Sequence, residues 1–393
     1  MHKSVIVHVD APSWGARPVP TQFISEDFVF NIGEVLLTIG IITSPPRATG
    51  FTLSEYWAWV RYLCAVSGNS NELCLVPEYK NIDSHQKTIL SDDFGMGFSM
   101  YWMWKKLNFS FLCDGRYFVD RYLNHFGGVA AARTPGKRGP TKCPDFICWQ
   151  PAGSFHVVEC KGTQSGNTTH ANQIASAQVQ KTTVNFPASR QGEKLACGMK
   201  IELEGSGRRS ELFVTDPDYK VVLSVDEERL PFANDIMWRG FTARALSASG
   251  LSSTALALSE PDTGEIASRR PKTSKIKKEE YVNIDKNRIE NSKNELNAFK
   301  GKSLFRNGGN NYTGREHLFD LPLPIIFGDG KVSSRVMVRQ GVNTNIINDM
   351  NPENFKDIRS NEISDNQQFT SETQSSISSI SFGNIFRSEI AFL

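Results

Sequence analysis

The 393-residue sequence has no CxxC pair, no long apolar run and no decisive excess of charge of either sign. Its seven cysteines (Cys64, Cys74, Cys113, Cys143, Cys148, Cys160 and Cys197) are scattered and odd in number. That argues against a disulfide framework and leads to the expectation of a reduced, cytoplasmic setting. Cys143 and Cys148 lie close together, but no second ligand pair follows at zinc-site spacing. The most apolar run, Val35 to Thr43, is too short to cross a bilayer, and the N-terminal MHKSVIVHVDAPSW lacks the apolar stretch of a signal peptide. The expectation is a soluble chain with no membrane partner. Lys and Arg number 44 against 42 Asp and Glu, so bulk charge does not announce a polyanion binder. A nucleic-acid surface would have to come from local clustering.

Several catalytic motifs are missing as well. There is no HxxxH or HExxH pattern, which argues against His156 or His170 as metal ligands. Gly301-Lys302-Ser303 resembles the end of a P-loop, but Leu296 stands where its first glycine is required, which argues against an intrinsic ATPase. No GxSxG elbow occurs, and no internal repeat is visible.

What is present supports a sizeable core: apolar residues make up 39% of the chain and aromatics 10%. Short β-like runs at Val5–Val9, Phe28–Phe30 and Val35–Ile42 open the chain. Helical spacing then predicts a helix over Thr52 to Val66, with Trp57, Val60, Leu63 and Cys64 facing a core. A second helix is predicted from Ser91 to Leu107, with Ser91 as its cap and Asp92 and Asp93 in its first turn. Its aromatics Tyr101, Trp102 and Trp104 read as core residues, and Asn108 to Phe126 favours neither helix nor strand. A basic loop at 133–142 leads into strands over Asp145–Trp149 and Phe155–Cys160, joined by a Pro-Ala-Gly turn. A helix over His170 to Lys181 and a hairpin over 196–203 and 211–215 follow. Beyond about 245 come a Ser/Thr/Ala-rich stretch, a basic linker at 269–278 and a polar, helix-compatible stretch at 286–302. From 341 the chain is rich in Asn, Ser, Gln and Ile, which predicts disorder or ordering by a protein partner.

The chemistry concentrates in Pro144-Asp145 and Glu159-Cys160-Lys161. Side chains alternate along a strand, so Glu159 and Lys161 share a face while Val158 and Cys160 point the other way. A hairpin of this length brings Asp145, at the start of one strand, beside the end of the next. Paired carboxylates repel in a low-dielectric site, and a divalent cation relieves that conflict. Such a cation can acidify water and neutralise a scissile phosphate, with a neighbouring lysine steadying the transition state. The acid-x-Lys tripeptide alone is uninformative, since it recurs at Glu78, Asp218 and Asp329. Only the copy at Glu159 ends an apolar strand with a Pro-Asp beginning another strand fourteen residues upstream.

These residues resemble the signature of the PD-(D/E)xK, or restriction-endonuclease-like, nuclease superfamily, over roughly residues 88–215. The resemblance implies an α/β fold: a restriction-endonuclease-like core with a central mixed β-sheet flanked by helices, bearing N- and C-terminal extensions. It divides the chain into an N-terminal region (1–87), a nuclease core (88–225), an accessory region with a basic linker (226–340) and the tail (341–393). It also implies Mg²⁺ or Mn²⁺ as cofactor, held by Asp145, Glu159 and the Cys160 carbonyl, with Lys161 catalytic. An acid on the first helix would be Asp92 or Asp93, although the usual Glu is absent and position 96 is Met. Gln173 or Gln178 would be an accessory polar group, and Arg133, Lys137, Arg138 and Lys142 would hold the phosphate backbone. The implied activity is phosphodiester hydrolysis in DNA, in a restriction or anti-phage defence setting. Two alternatives stay open: a non-catalytic DNA-binding or assembly subunit on the same fold, and a structural protein whose tail folds on a partner.

Overall fold

In a computed structural model the described residues are 2–43, 62–126, 143–164, 182–216, 219–268, 274–326, 330–357, 368–374 and 376–393. Strands β1 (His2–Val9) and β2 (Glu26–Asn31) precede helices α1 (Ile32–Ile42) and α2 (Ser84–Leu107). Next come β3 (Phe111–Asp114), α3 (Gly115–Phe126), β4 (Phe146–Trp149), β5 (Phe155–Thr163), β6 (Thr182–Asn185), β7 (Gln191–Lys200), β8 (Glu211–Thr215) and β9 (Lys220–Ser224). Helices α4 (Leu230–Ala248), α5 (Ser252–Ser259), α6 (Thr263–Ser268) and α7 (Lys275–Phe299) follow. The chain closes with β10 (Phe305–Asn307), β11 (Asn310–Ile326), β12 (Val332–Asn343), α8 (Thr344–Asp349), β13 (Phe369–Gln374), β14 (Ile377–Phe382) and β15 (Phe386–Phe392).

The class is α/β. A seven-stranded mixed sheet has the order β2-β1-β8-β7-β5-β4-β3, with β1/β8 and β5/β7 parallel and the other neighbours antiparallel. A six-stranded sheet, β10-β11-β12-β15-β14-β13, is antiparallel throughout. Helices α1, α2 and α4 lie against both sheets and bury their contacts in one continuous apolar core. Trp104 of α2 stacks on Phe369 of β13 at 4.9 Å, so the aromatic cluster of this helix is core, as its spacing predicts. Among the described residues no helix is long and apolar enough to cross a membrane.

Several expectations need correction. Val35–Ile42, read as a β-like run, belongs to α1, every residue of which is buried. An apolar run buried on all sides carries no period, so pattern alone cannot separate strand from helix. The overlooked signal is Asn31, whose Oδ1 accepts the Gly33 N–H at 2.8 Å and caps the helix. Inside this apolar helix, Glu34 accepts from Tyr101 (2.5 Å), Ser371 (2.5 Å) and Thr373 (2.9 Å), tying α1 to α2 and β13.

Helix α2 starts at Ser84, about two turns before the predicted cap at Ser91. Asp83 caps it by accepting from His85 N–H, while Ser91 donates to the Lys87 carbonyl four residues back. Asp92 and Asp93 therefore sit within the helix and not in its first turn. The unassigned stretch after it folds as β3 and α3, separated from α2 by Asn108 in the left-handed conformation. The hairpin of β7 and β8 forms as predicted, with β7 starting earlier, at Gln191. Of the helix predicted over Thr52–Val66, residues 62–65 are helical and the earlier part lies outside the described residues, as does the helix expected over 170–181.

The boundary after residue 87 does not separate folding units, because β1 and β2 are strands of the same sheet as β5. The tail also departs from expectation: β13, β14 and β15 are ordered strands. Two of their buried serines accept hydrogen bonds from Arg387, Ser381 at 3.0 Å and Ser379 at 2.8 Å. Polar composition alone thus misjudged a sheet that buries Ile380, Phe382, Phe386 and Ile390.

Candidate active site

The β4–β5 hairpin builds the site. Its register pairs Phe146 with Val158 and Trp149 with Phe155, around a turn in which Gly153 takes a φ of 86°. Main-chain pairing with β4 stops at Val158, while β5 runs on beside β7, Glu159 against Ala196 and Lys161 against Gly198. Registered neighbours share a sheet face, so two small residues of β7, Ala196 and Gly198, flank Glu159 and Lys161 and leave room above them. On the opposite edge Asp145 takes the place of the next rung. Its Oδ2 accepts the backbone N–H of Cys160 at 2.8 Å. Its own carbonyl accepts from Gly115 N–H at 3.0 Å, which anchors it to the start of α3. A Cβ at Gly115 would fall 2.1 Å from the Pro144 carbonyl oxygen, so a glycine is required for this approach.

Lys161 Nζ lies 2.6 Å from Glu159 Oε1 and 3.8 Å from Asp145 Oδ2. The predicted triad is thus brought together. Burial, reinforced by the negative charge of Glu159, pushes the Asp145 acid up to about 6, against the opposing pull of Lys161. Burial works against the Lys161 ammonium, but Asp145 and Glu159 outweigh it and hold its pKa above the ordinary value. The Cys160 thiol is buried on the other face, which pushes it well above its ordinary value and leaves it unsuited to bind metal as a thiolate. In a strand the N–H and C=O of one residue point to the same side, so the Cys160 carbonyl is directed toward Asp145.

Helix α2 packs backbone against backbone on β5. A Cβ at Gly95 would lie 2.5 Å from Gly162 Cα, and one at Gly162 only 1.7 Å from the Ser91 carbonyl oxygen. This close approach separates the roles of the two aspartates. Tyr62 donates a hydrogen bond to Asp93. Asp92 instead borders the same pocket as Gly162 and Thr163, and its acid is raised by burial and lowered in turn by the charge of Lys161. Of the two candidate acids, Asp92 is the one that feels the charge of Lys161. The glycines were missed from the pattern, although Gly95 and Gly97 inside a helix cost stability relative to alanine, which was the available signal.

The expected phosphate contacts Arg133, Lys137, Arg138 and Lys142, and the accessory Gln173 and Gln178, lie outside the described residues. Among the described residues no group of three or more His, Cys, Asp or Glu side chains is arranged to hold a metal. No protein-family model, curated protein or solved structure matches this chain. The functional reading stands on the geometry alone.

Proposed function

We propose that the chain is a Mg²⁺- or Mn²⁺-dependent nuclease built on a restriction-endonuclease-like core, hydrolysing phosphodiester bonds in DNA. The observation that carries this reading is the convergence of Asp145, Glu159 and Lys161 at one end of the β4–β5 hairpin. Mg²⁺ needs only one or two carboxylates, with water and substrate oxygens completing its shell. Asp145, Glu159 and the Cys160 carbonyl offer such an oxygen set, and the raised Asp145 acid marks a place where extra positive charge is favoured.

When bound, the cation would supply Lewis acidity toward the scissile phosphate and a more acidic water. The chain's own residues do the rest. Asp145 and Glu159 hold negative charge at fixed positions, one locked to the Cys160 N–H and the other to Lys161. Lys161 is half-exposed, so its ammonium can turn from Glu159 toward a phosphate oxygen or the attacking water. Water oxygen bonds to phosphorus, the phosphorus–oxygen ester bond breaks, and the leaving alkoxide takes up the proton that the water loses, giving a phosphate monoester and a free hydroxyl.

One observation favours the second reading, a non-catalytic DNA-binding subunit: Lys161 already sits between the two carboxylates as an ion-pair partner, 2.6 Å from Glu159 and 3.8 Å from Asp145. Cleavage of plasmid and single-stranded DNA with Mg²⁺ or Mn²⁺ separates the two. The nuclease reading expects cleavage that is lost with EDTA, in Lys161→Ala and in Asp145→Ala. Salt-sensitive DNA binding without cleavage supports the binding subunit, and cleavage that survives both substitutions removes this site from consideration.

A further inference from the structure

Beside the acid–lysine cluster lies a pocket of about 390 Å³ that has no part in the triad. Its size falls in the range of sites that enclose a small molecule or one unit of a polymer. One wall is a face of α2: Ser84, Lys87 and Thr88 recur at helical spacing. The turn before the helix adds Lys80, and the end of β5 adds Gln164. Among the described residues lining the pocket, the ammonium groups of Lys80 and Lys87 face a single carboxylate, Asp92. Lys87 spends one donor on the Lys80 carbonyl at 2.6 Å, which leaves two of its three. The Gln164 side-chain Nε2 is buried without a hydrogen-bond partner. A buried donor in that state is costly, and a ligand acceptor would satisfy it.

Lysines, an idle amide donor and hydroxyls select an anion that also carries neutral acceptors. A free cation is disfavoured by the two ammonium groups. The pocket also lies close to the reaction centre: Gly162 directly follows Lys161 in β5, and Asp92 feels the charge of Lys161.

We propose that this pocket is a nucleotide subsite. It holds the phosphate next to the scissile bond on Lys80 and Lys87, while Gln164 donates to an acceptor on that nucleotide's base or sugar. The identity of the occupant as part of a nucleic-acid strand rests on the nuclease reading above.

The test uses the full chain and a fluorescein-labelled single-stranded DNA 12-mer, with EDTA present so that nothing is cut. Fluorescence anisotropy is followed across salt concentration. Loss of this one phosphate contact lowers the salt slope on a single strand by about 0.7, so Lys80→Ala/Lys87→Ala weakens binding about 5-fold near 0.1 M salt and hardly at all near 1 M. Gln164→Ala weakens binding with the slope unchanged. Should the double variant fail to fold, Lys80→Glu, at an exposed position, reads the same change in slope. Equal affinity and slope in wild type and lysine variants overturn the subsite, as does absence of binding by wild type. Lysine-dependent binding by a protein that never cleaves with Mg²⁺ or Mn²⁺ keeps the subsite and removes the hydrolytic reading. Lys161-dependent cleavage with lysine-independent binding does the reverse.

Discussion

Gly95 of helix α2 and Gly162 of strand β5 face each other so closely that a methyl group on Gly95 would lie 2.5 Å from the Gly162 Cα. The contact sets the distance between the helix that carries Asp92 and the strand that carries Glu159 and Lys161. Because the clash is with backbone, no side-chain rotation relieves it. Gly162→Ala, which meets the Ser91 carbonyl oxygen at 1.7 Å, is expected to destabilise the protein by about 3 kcal/mol. A shift of the urea midpoint with unchanged m-value checks this; a variant as stable as wild type would show that helix and strand part easily.

Lys161→Met is expected to behave differently. The Lys161 side chain is 37% exposed and its ion pairs are partly solvated, so stability should change by less than about 1 kcal/mol. Cleavage should fall by about a hundred-fold or more, since a charge aimed at the transition state is removed. Thermal melting and plasmid cleavage on the same preparation distinguish a functional lysine from a structural one.

The raised Asp145 acid sets the pH dependence. An unfolded aspartate ionises near 3.8, and in the folded chain burial, followed by the Glu159 charge, moves it to about 6. The folded state therefore binds the proton more readily in that window. The group favours folding at the acid end, and its contribution is lost as pH rises through about 6. Metal-free wild type should lose melting temperature from about pH 4.5 to about pH 7 more steeply than Asp145→Asn. Added Mg²⁺ should stabilise wild type more at the upper end of this range, where the carboxylate is already ionised. Parallel curves for wild type and Asp145→Asn would refute the assignment.

In helix α4, Asp235 accepts from buried Arg239 at 2.6 Å. Arg239 also donates to the Asp357 carbonyl at 2.7 Å, holding the segment before β13 on the helix. Asp235→Ala leaves the guanidinium buried without its counter-charge, at an expected cost of about 3–5 kcal/mol. Chemical denaturation measures this, and cleavage at a temperature where the variant stays folded should be unaffected.

The order of residues by itself determined the triad and its strand context. Alternation put Glu159 and Lys161 on one face, and the short Pro-Ala-Gly turn returned Asp145 to their end of the hairpin. Both relations are local, so periodicity and turn chemistry suffice to see them. Tertiary structure decided what depends on distant partners. The run in α1 is apolar on every side, and its helical state follows from burial between α2 and the second sheet. Ser379 and Ser381 of β14 read as solvated until Arg387 of the neighbouring strand donates to them. Asp92 and Asp93 are neighbours of the same type, and only the packing of α2 on β5 shows that Asp92 feels the charge of Lys161 while Tyr62 engages Asp93. Which of the two acids lies near Lys161 is a packing outcome, set by residues far apart in the chain.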